Sequence, residues 1–134
     1  MAIYNLDTSI WLDFGMKRGK NGESALKLII KIIKENSVII YSNIHIKELR
    51  DFGYSMDEIN SLFHVVKPNN LRYVNTSKEQ KDEAKQLAYK KKIPKADALH
   101  AILARDNDAI LISRDLHFKD IKYVIETKKP EEII

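Results

Sequence analysis

Cysteine is absent from the 134 residues, which excludes disulfides and thiolate metal sites and fits a reducing compartment. No run of about 18 apolar residues occurs, so no membrane-spanning helix is expected. The opening "MAIYNLDTS" has neither a charged n-region nor an apolar h-region, so no secretory leader is expected. Together these absences set the expectation of an intracellular, cytoplasmic protein. Two phosphate-binding motifs are also missing. No G-x-G-x-x-G follows a strand-like segment. "GMKRGKN" is one residue short of P-loop spacing, and no Ser or Thr follows Lys20.

What is present is ordinary globular composition, 44% apolar and 31% charged, in a length that favours one domain over residues 1–134. The formal net charge of +4 favours polyanionic partners, although most lysine-rich proteins bind no nucleic acid. Ala2–Leu6 reads as a buried strand, and Asp7-Thr8-Ser9 after it as a helix start. Phe14–Glu23 reads as a glycine-bearing basic loop. "ESALKLIIKIIKE" then repeats apolar residues at helical spacing with lysines opposite. Ser37–Ser42 is a second strand, and Asn43–Gly53 a helix stopped by glycine. Ser55 and Glu58, then Ser77 and Gln80, have the spacing of capping boxes. Leu71–Asn75, Ala109–Asp115 and Tyr123–Glu126 complete five expected strands. Pro94 suits the first turn of the helix "PKADALHAILA". Alternating strands and helices predict an α/β fold with a mostly parallel sheet.

In such folds the working crevice lies beyond the carboxyl ends of the strands. Asp7 follows the first strand, Glu48 lies in the helix after the second, and Asp115 follows the fourth. Asp97 opens the helix leading into the fourth strand, so its carboxylate reaches the same edge. Converged carboxylates repel one another and resist ionisation. A divalent cation reverses that repulsion, and an all-oxygen set suits Mg²⁺ or Mn²⁺ better than Zn²⁺. The chemistry such a site supports is phosphodiester hydrolysis.

Each residue also has a plainer reading. Asp7 and Asp115 can cap turns, Glu48 can be a solvated helix residue, and Asp97 can serve the dipole at a helix start. His45 lies three residues before Glu48 and His100 three after Asp97, spacings open to metal ligation, but both read better as packed or surface histidines. Trp11 reads as core. Ser9 and Ser113 are placed to hydrogen-bond the metal-binding carboxylates, or merely to cap. Lys17, Arg18 and Lys20 in the basic loop, and Arg114 beside the last acid, are candidates for contact with a phosphate backbone. Haloacid-dehalogenase-type phosphatases need D-x-D after the first strand, and Ser9 breaks that pattern.

"LDTSIWLDF", "HIKEL", "KADALHAILA" and "LISRDLHF" occur in the order and spacing of a PIN domain, and the resemblance spans essentially the whole chain. It implies a three-layer α/β/α sandwich around a mostly parallel sheet of about five strands. It also implies an acidic quartet, Asp7, Glu48, Asp97 and Asp115, binding Mg²⁺ or Mn²⁺, with Ser113 as the small polar residue before the last acid. Many members carry D-x-D-F at that place; here the second acid is replaced by His117, which puts a second metal in doubt, with Asp120 a possible substitute. Single-domain members of this length look most like VapC-type toxins, paired with a small antitoxin and commonly homodimeric. The resemblance therefore implies a metal-dependent endoribonuclease acting on RNA. The alternatives are an RNA-processing nuclease outside a toxin–antitoxin pair, or an inactive binding module.

Overall fold

The computed structural model describes residues 1–134. Five short strands form one parallel sheet: β1 (Ile3–Leu6), β2 (Val38–Tyr41), β3 (Leu71–Tyr73), β4 (Ile110–Ile112) and β5 (Thr127–Lys128). Their spatial order is β3-β2-β1-β4-β5. The helices are α1 (Thr8–Gly15), α2 (Gly19–Lys34), α3 (Asn43–Phe52), α4 (Met56–His64), α5 (Lys78–Lys91), α6 (Lys95–Asp106) and α7 (Pro130–Ile133). A 3₁₀ helix spans Leu116–Ile121.

Successive strand residues point to opposite faces and so feed two cores. Tyr4, Leu6, Ile39 and Ile112 meet a layer from α1, α2 and α4, centred on Trp11, Leu28, Ile29 and Phe63. Val38, Ile40 and Leu111 meet a second layer from α5, α6 and the 3₁₀ helix, packed by Leu87, Ile102 and Phe118. This is the expected three-layer α/β/α sandwich. With both sheet faces covered, β2 (VIIY) and β4 (ILI) read as unbroken apolar runs rather than alternating ones. Both expected capping boxes form, Ser55 with Glu58 and Ser77 with Gln80. Helix α6 is buried at every position from Asp97 to Ala104, which explains its lack of a polar stripe.

Two local expectations are corrected. Phe14–Glu23 is not a loop throughout, because α2 begins at Gly19 and only Met16–Arg18 links it to α1. Lys17 and Gly19 turn the chain with positive φ, 52° and 55°. Gly22 lies so close to the preceding turn that a Cβ there would come within 2.8 Å of the Asp13 carbonyl oxygen. Glycine here permits a tight α1–α2 corner. The fifth strand is Thr127–Lys128 and not Tyr123–Glu126. The amides of Val124 and Ile125 bond back to the Ile121 carbonyl at 2.9 and 3.3 Å, which removes them from the sheet. Thr127 and Lys128 pair with Leu111 and Ile112 instead.

The chain lays down β1, β2 and β3 toward one edge, then returns to place β4 on the other side of β1. Strand order therefore reverses between β1 and β4, and a crevice opens beyond their carboxyl ends. The Asp7 amide extends the ladder there, donating to the Ile112 carbonyl at 2.9 Å.

Candidate metal centre

Asp7 stands at the mouth of that crevice. It occupies the N-cap position of α1, yet its side chain makes no capping bond. Its Oδ2 instead accepts from the hydroxyls of Ser113 at 2.9 Å and Ser9 at 3.2 Å. Ser113 also accepts the Asp115 amide at 3.0 Å, so one hydroxyl ties the end of β1 to the turn after β4. Asp115 caps the 3₁₀ helix, its Oδ1 accepting the His117 amide at 2.9 Å. Asp97 enters from the first turn of α6, and its Oδ2 accepts from His117 Nδ1 at 2.7 Å. The same nitrogen lies 3.0 Å from Asp115 Oδ1. Glu48 comes from α3; its Oε1 accepts from Thr8 Oγ1 at 2.8 Å and from His100 Nε2 at 2.6 Å.

The structure thus brings Asp7, Glu48, Asp97 and Asp115 to the wall of one open pocket of about 470 Å³, with Thr8 and Ser9 beside them. Each carboxylate uses a single oxygen in these bonds: Asp7 Oδ2, Glu48 Oε1, Asp97 Oδ2 and Asp115 Oδ1. The other oxygen of each has no protein hydrogen bond. Their only cationic neighbours within 4.0 Å are the two histidines.

The electrostatics follow from this crowding. Burial, opposed by the His117 hydrogen bond and reinforced by Asp7 and Asp115, pushes the Asp97 carboxyl up to about 6. Burial is the largest influence on Glu48 and works against its charge, but the hydrogen bond and charge of His100, the Thr8 bond and the Lys47 charge together outweigh it and hold this carboxyl below its usual range. For His100, burial is outweighed by the bond to Glu48 and by Asp7, so the imidazole stays raised. Two buried and two half-buried carboxylates without Lys or Arg partners, each with a free oxygen, match the donor set of a hard divalent cation. The residues present therefore fit Mg²⁺ or Mn²⁺.

The basic candidates lie elsewhere. Lys17 borders a neighbouring groove with Phe14, Gly15 and Tyr54. Arg18 approaches Asp13 at 3.5 Å and sits over the Phe52 ring. Arg114 bonds Glu131 at 2.6 Å, and Lys20 is exposed in the first turn of α2. None of these four lines the acidic pocket.

Ser9 and Ser113 bond Asp7 as the sequence suggested, but sequence reasoning missed the rest of the polar layer behind the carboxylates. Thr8 and His100 grip Glu48 from α1 and α6. His45 bonds the Leu6 carbonyl through Nε2 at 2.9 Å and packs at a tilt of 57° against His100, at a ring separation of 4.5 Å. The Asp97/His100 spacing was visible as i,i+3, but the partner of His100 is Glu48, 52 positions away. Local spacing carries no signal for such a pair.

The PIN domain family model matches residues 4–123, and the chain belongs to that family. Two solved structures share its fold. One is VapBC2 from Rickettsia felis bound to a DNA fragment from its promoter, with a TM-score of 0.69 and 21% identity, covering 95% of this chain and 98% of that one. The other is a toxin–antitoxin complex from Klebsiella pneumoniae, with a TM-score of 0.59 and 18% identity, covering 95% and 97%. No curated protein matches in sequence. No helix is long and apolar enough to cross a membrane.

Proposed function

We propose that residues 1–134 act as one metal-dependent endoribonuclease domain, the toxin of a toxin–antitoxin pair, working in the cytoplasm. PIN proteins are generally nucleases, which supports the class. The observation that carries the reading is the pocket where four carboxylates from four chain segments each keep one oxygen unbonded and none meets Lys or Arg. In this reading Asp7, Glu48, Asp97 and Asp115 hold Mg²⁺ or Mn²⁺. The ion supplies Lewis acidity toward a phosphate oxygen and offsets the carboxylate charge.

The protein's own contribution is orientation. Ser9 and Ser113 hold Asp7, and Thr8 with His100 holds Glu48, which limits the reorganisation these two carboxylates need to take up an ion. Water attacks phosphorus as the P–O3′ bond breaks, and the leaving oxygen takes a proton. The products are a 5′-phosphate and a 3′-hydroxyl. Lys17, Arg18, Lys20 and Arg114 are the proposed contacts to the RNA backbone. A small antitoxin and a second copy of the chain are the proposed protein partners. Their support is the two toxin–antitoxin complexes of the same fold. Exposed Leu26, Ile30 and Ile33 along α2 offer apolar area to either.

Cleavage of a structured RNA with Mn²⁺ or Mg²⁺, with analysis of the product ends, tests the reading. Asp97→Asn and Asp7→Asn are expected to lose at least about 100-fold in rate, and chelator should abolish cleavage. Full activity in both variants refutes the four-carboxylate site. Co-expression with the product of a short upstream reading frame tests the partner; inhibition is the expected outcome.

A further inference from the structure

His117 comes from the turn after β4 and reaches across to α6. Its side chain is about half exposed, so core packing does not hold it. What holds it is the pair of carboxylates: Nδ1 lies 2.7 Å from Asp97 Oδ2 and 3.0 Å from Asp115 Oδ1. Asp115 also accepts the His117 amide, which sets the direction in which the ring leaves the chain. One ligand atom from each of Asp97, Asp115 and His117 lies within 4.8 Å of the others. Neighbouring ligand atoms around a small divalent ion, at bond lengths of about 2.0–2.2 Å, stand about 3 Å apart. His117 Nδ1 already stands at that spacing from an oxygen of each carboxylate.

We propose that His117 is a nitrogen ligand to the ion held by Asp97 and Asp115, and that it biases this centre toward first-row transition ions such as Mn²⁺ and against Mg²⁺. This rests on the metal-site reading above. The chemistry of the donor set gives the direction. Mg²⁺ takes oxygen ligands and keeps its waters, whereas imidazole suits the transition ions increasingly from Mn²⁺ toward Co²⁺ and Ni²⁺. Ligation uses the lone pair of Nδ1, so binding releases the proton this nitrogen now donates to the carboxylates. A lysine at this place would add only a positive charge competing with the ion. The imidazole replaces that competition with a bond.

The test is spectroscopic and thermodynamic, on the full chain stripped of metal and reloaded. Pulsed electron paramagnetic resonance of the Mn²⁺ complex should show coupling to a directly bound nitrogen in the wild type and none in His117→Ala. Calorimetry should show His117→Ala losing about tenfold or more in affinity for Mn²⁺, more for Co²⁺ and Ni²⁺, and less than about twofold for Mg²⁺. His117→Asp should bind Mg²⁺ more tightly than the wild type. Mn²⁺ bound without nitrogen coupling, or with coupling that survives in His117→Ala, overturns the ligand role alone. So does equal loss for all four ions, which would make His117 a positioning group. Tighter Mn²⁺ binding by His117→Ala would show a blocking side chain and also overturns it. Failure of the wild type to bind Mn²⁺ at all, with Asp97→Asn unchanged, refutes the metal site itself.

Discussion

His45 fastens α3 to the end of β1, and it can do so only as a neutral imidazole. Its Nδ1 accepts the Ser42 amide at 3.1 Å, and its Nε2 donates to the Leu6 carbonyl at 2.9 Å. An amide can only donate and a carbonyl can only accept, so these partners fix the tautomer. A proton on Nδ1 would break the Ser42 bond and bury a charge. Burial, reinforced by His100 and only partly offset by the Leu6 bond, holds the His45 pKa well below 6.5. The unfolded chain therefore takes up a proton below pH 6.5 that the folded chain refuses. The stability this group contributes is present above 6.5 and is lost as pH falls toward its folded-state value. The slope reaches about 1.4 kcal/mol per pH unit. With an unfolding entropy of about 0.28 kcal/mol/K for a chain this long, each unit shifts Tm by about 5 °C.

Two neighbours titrate with the opposite sign. His100 is raised, so its contribution is present below 6.5 and fades as pH rises above it. The Asp97 carboxyl is raised to about 6, so it favours the folded state as pH falls through the same window as His45. The informative quantity is thus the difference between the wild type and His45→Gln, in which those contributions largely cancel. A glutamine at this capping position can still accept the Ser42 amide. Urea unfolding followed by circular dichroism, in chelator, at pH 8, 6.5, 5.5 and 5 supplies it. His45→Gln should cost about 1–3 kcal/mol at pH 8. That cost should shrink by up to about 1.4 kcal/mol for each unit below 6.5. A cost that stays constant from pH 8 to 5 would refute the claim that the fold holds His45 neutral.

Ser113→Ala removes the hydroxyl that bonds both Asp7 and the Asp115 amide. It should cost about 1–2 kcal/mol in urea unfolding and about tenfold in Mn²⁺ affinity by calorimetry. Gly22→Ala forces a Cβ against the backbone of Asp13 and Lys17, so thermal unfolding should show a loss of about 1–3 kcal/mol with metal affinity largely preserved. In chelator the stabilities of Asp97→Asn and the wild type should come together as pH falls from 8 to 5, because the ionised carboxylate that burial penalises is then protonated. Addition of Mn²⁺ should raise the Tm of the wild type and leave that of Asp97→Asn nearly unchanged.

The sequence alone determined what depends on neighbours a few residues apart. Apolar runs at Ala2–Leu6 and Ser37–Ser42 located β1 and β2, and the Ser55/Glu58 and Ser77/Gln80 spacings located two helix starts. The alternation of strands and helices gave the parallel class, and with it the edge to which Asp7, Glu48, Asp97 and Asp115 all come. Tertiary structure decided what depends on residues far apart. The reversal of strand order between β1 and β4 placed the crevice. Closure of the 3₁₀ turn on Ile121 moved the fifth strand to Thr127–Lys128, against the apolar signal of Tyr123–Ile125. The grip of Thr8 and His100 on Glu48 joins three segments, and the reach of His117 to Asp97 joins two. Backbone propensity and capping are local energies and leave a periodic trace. A hydrogen bond between residues 52 or 20 positions apart leaves none, because it exists only once the sheet has brought the segments together.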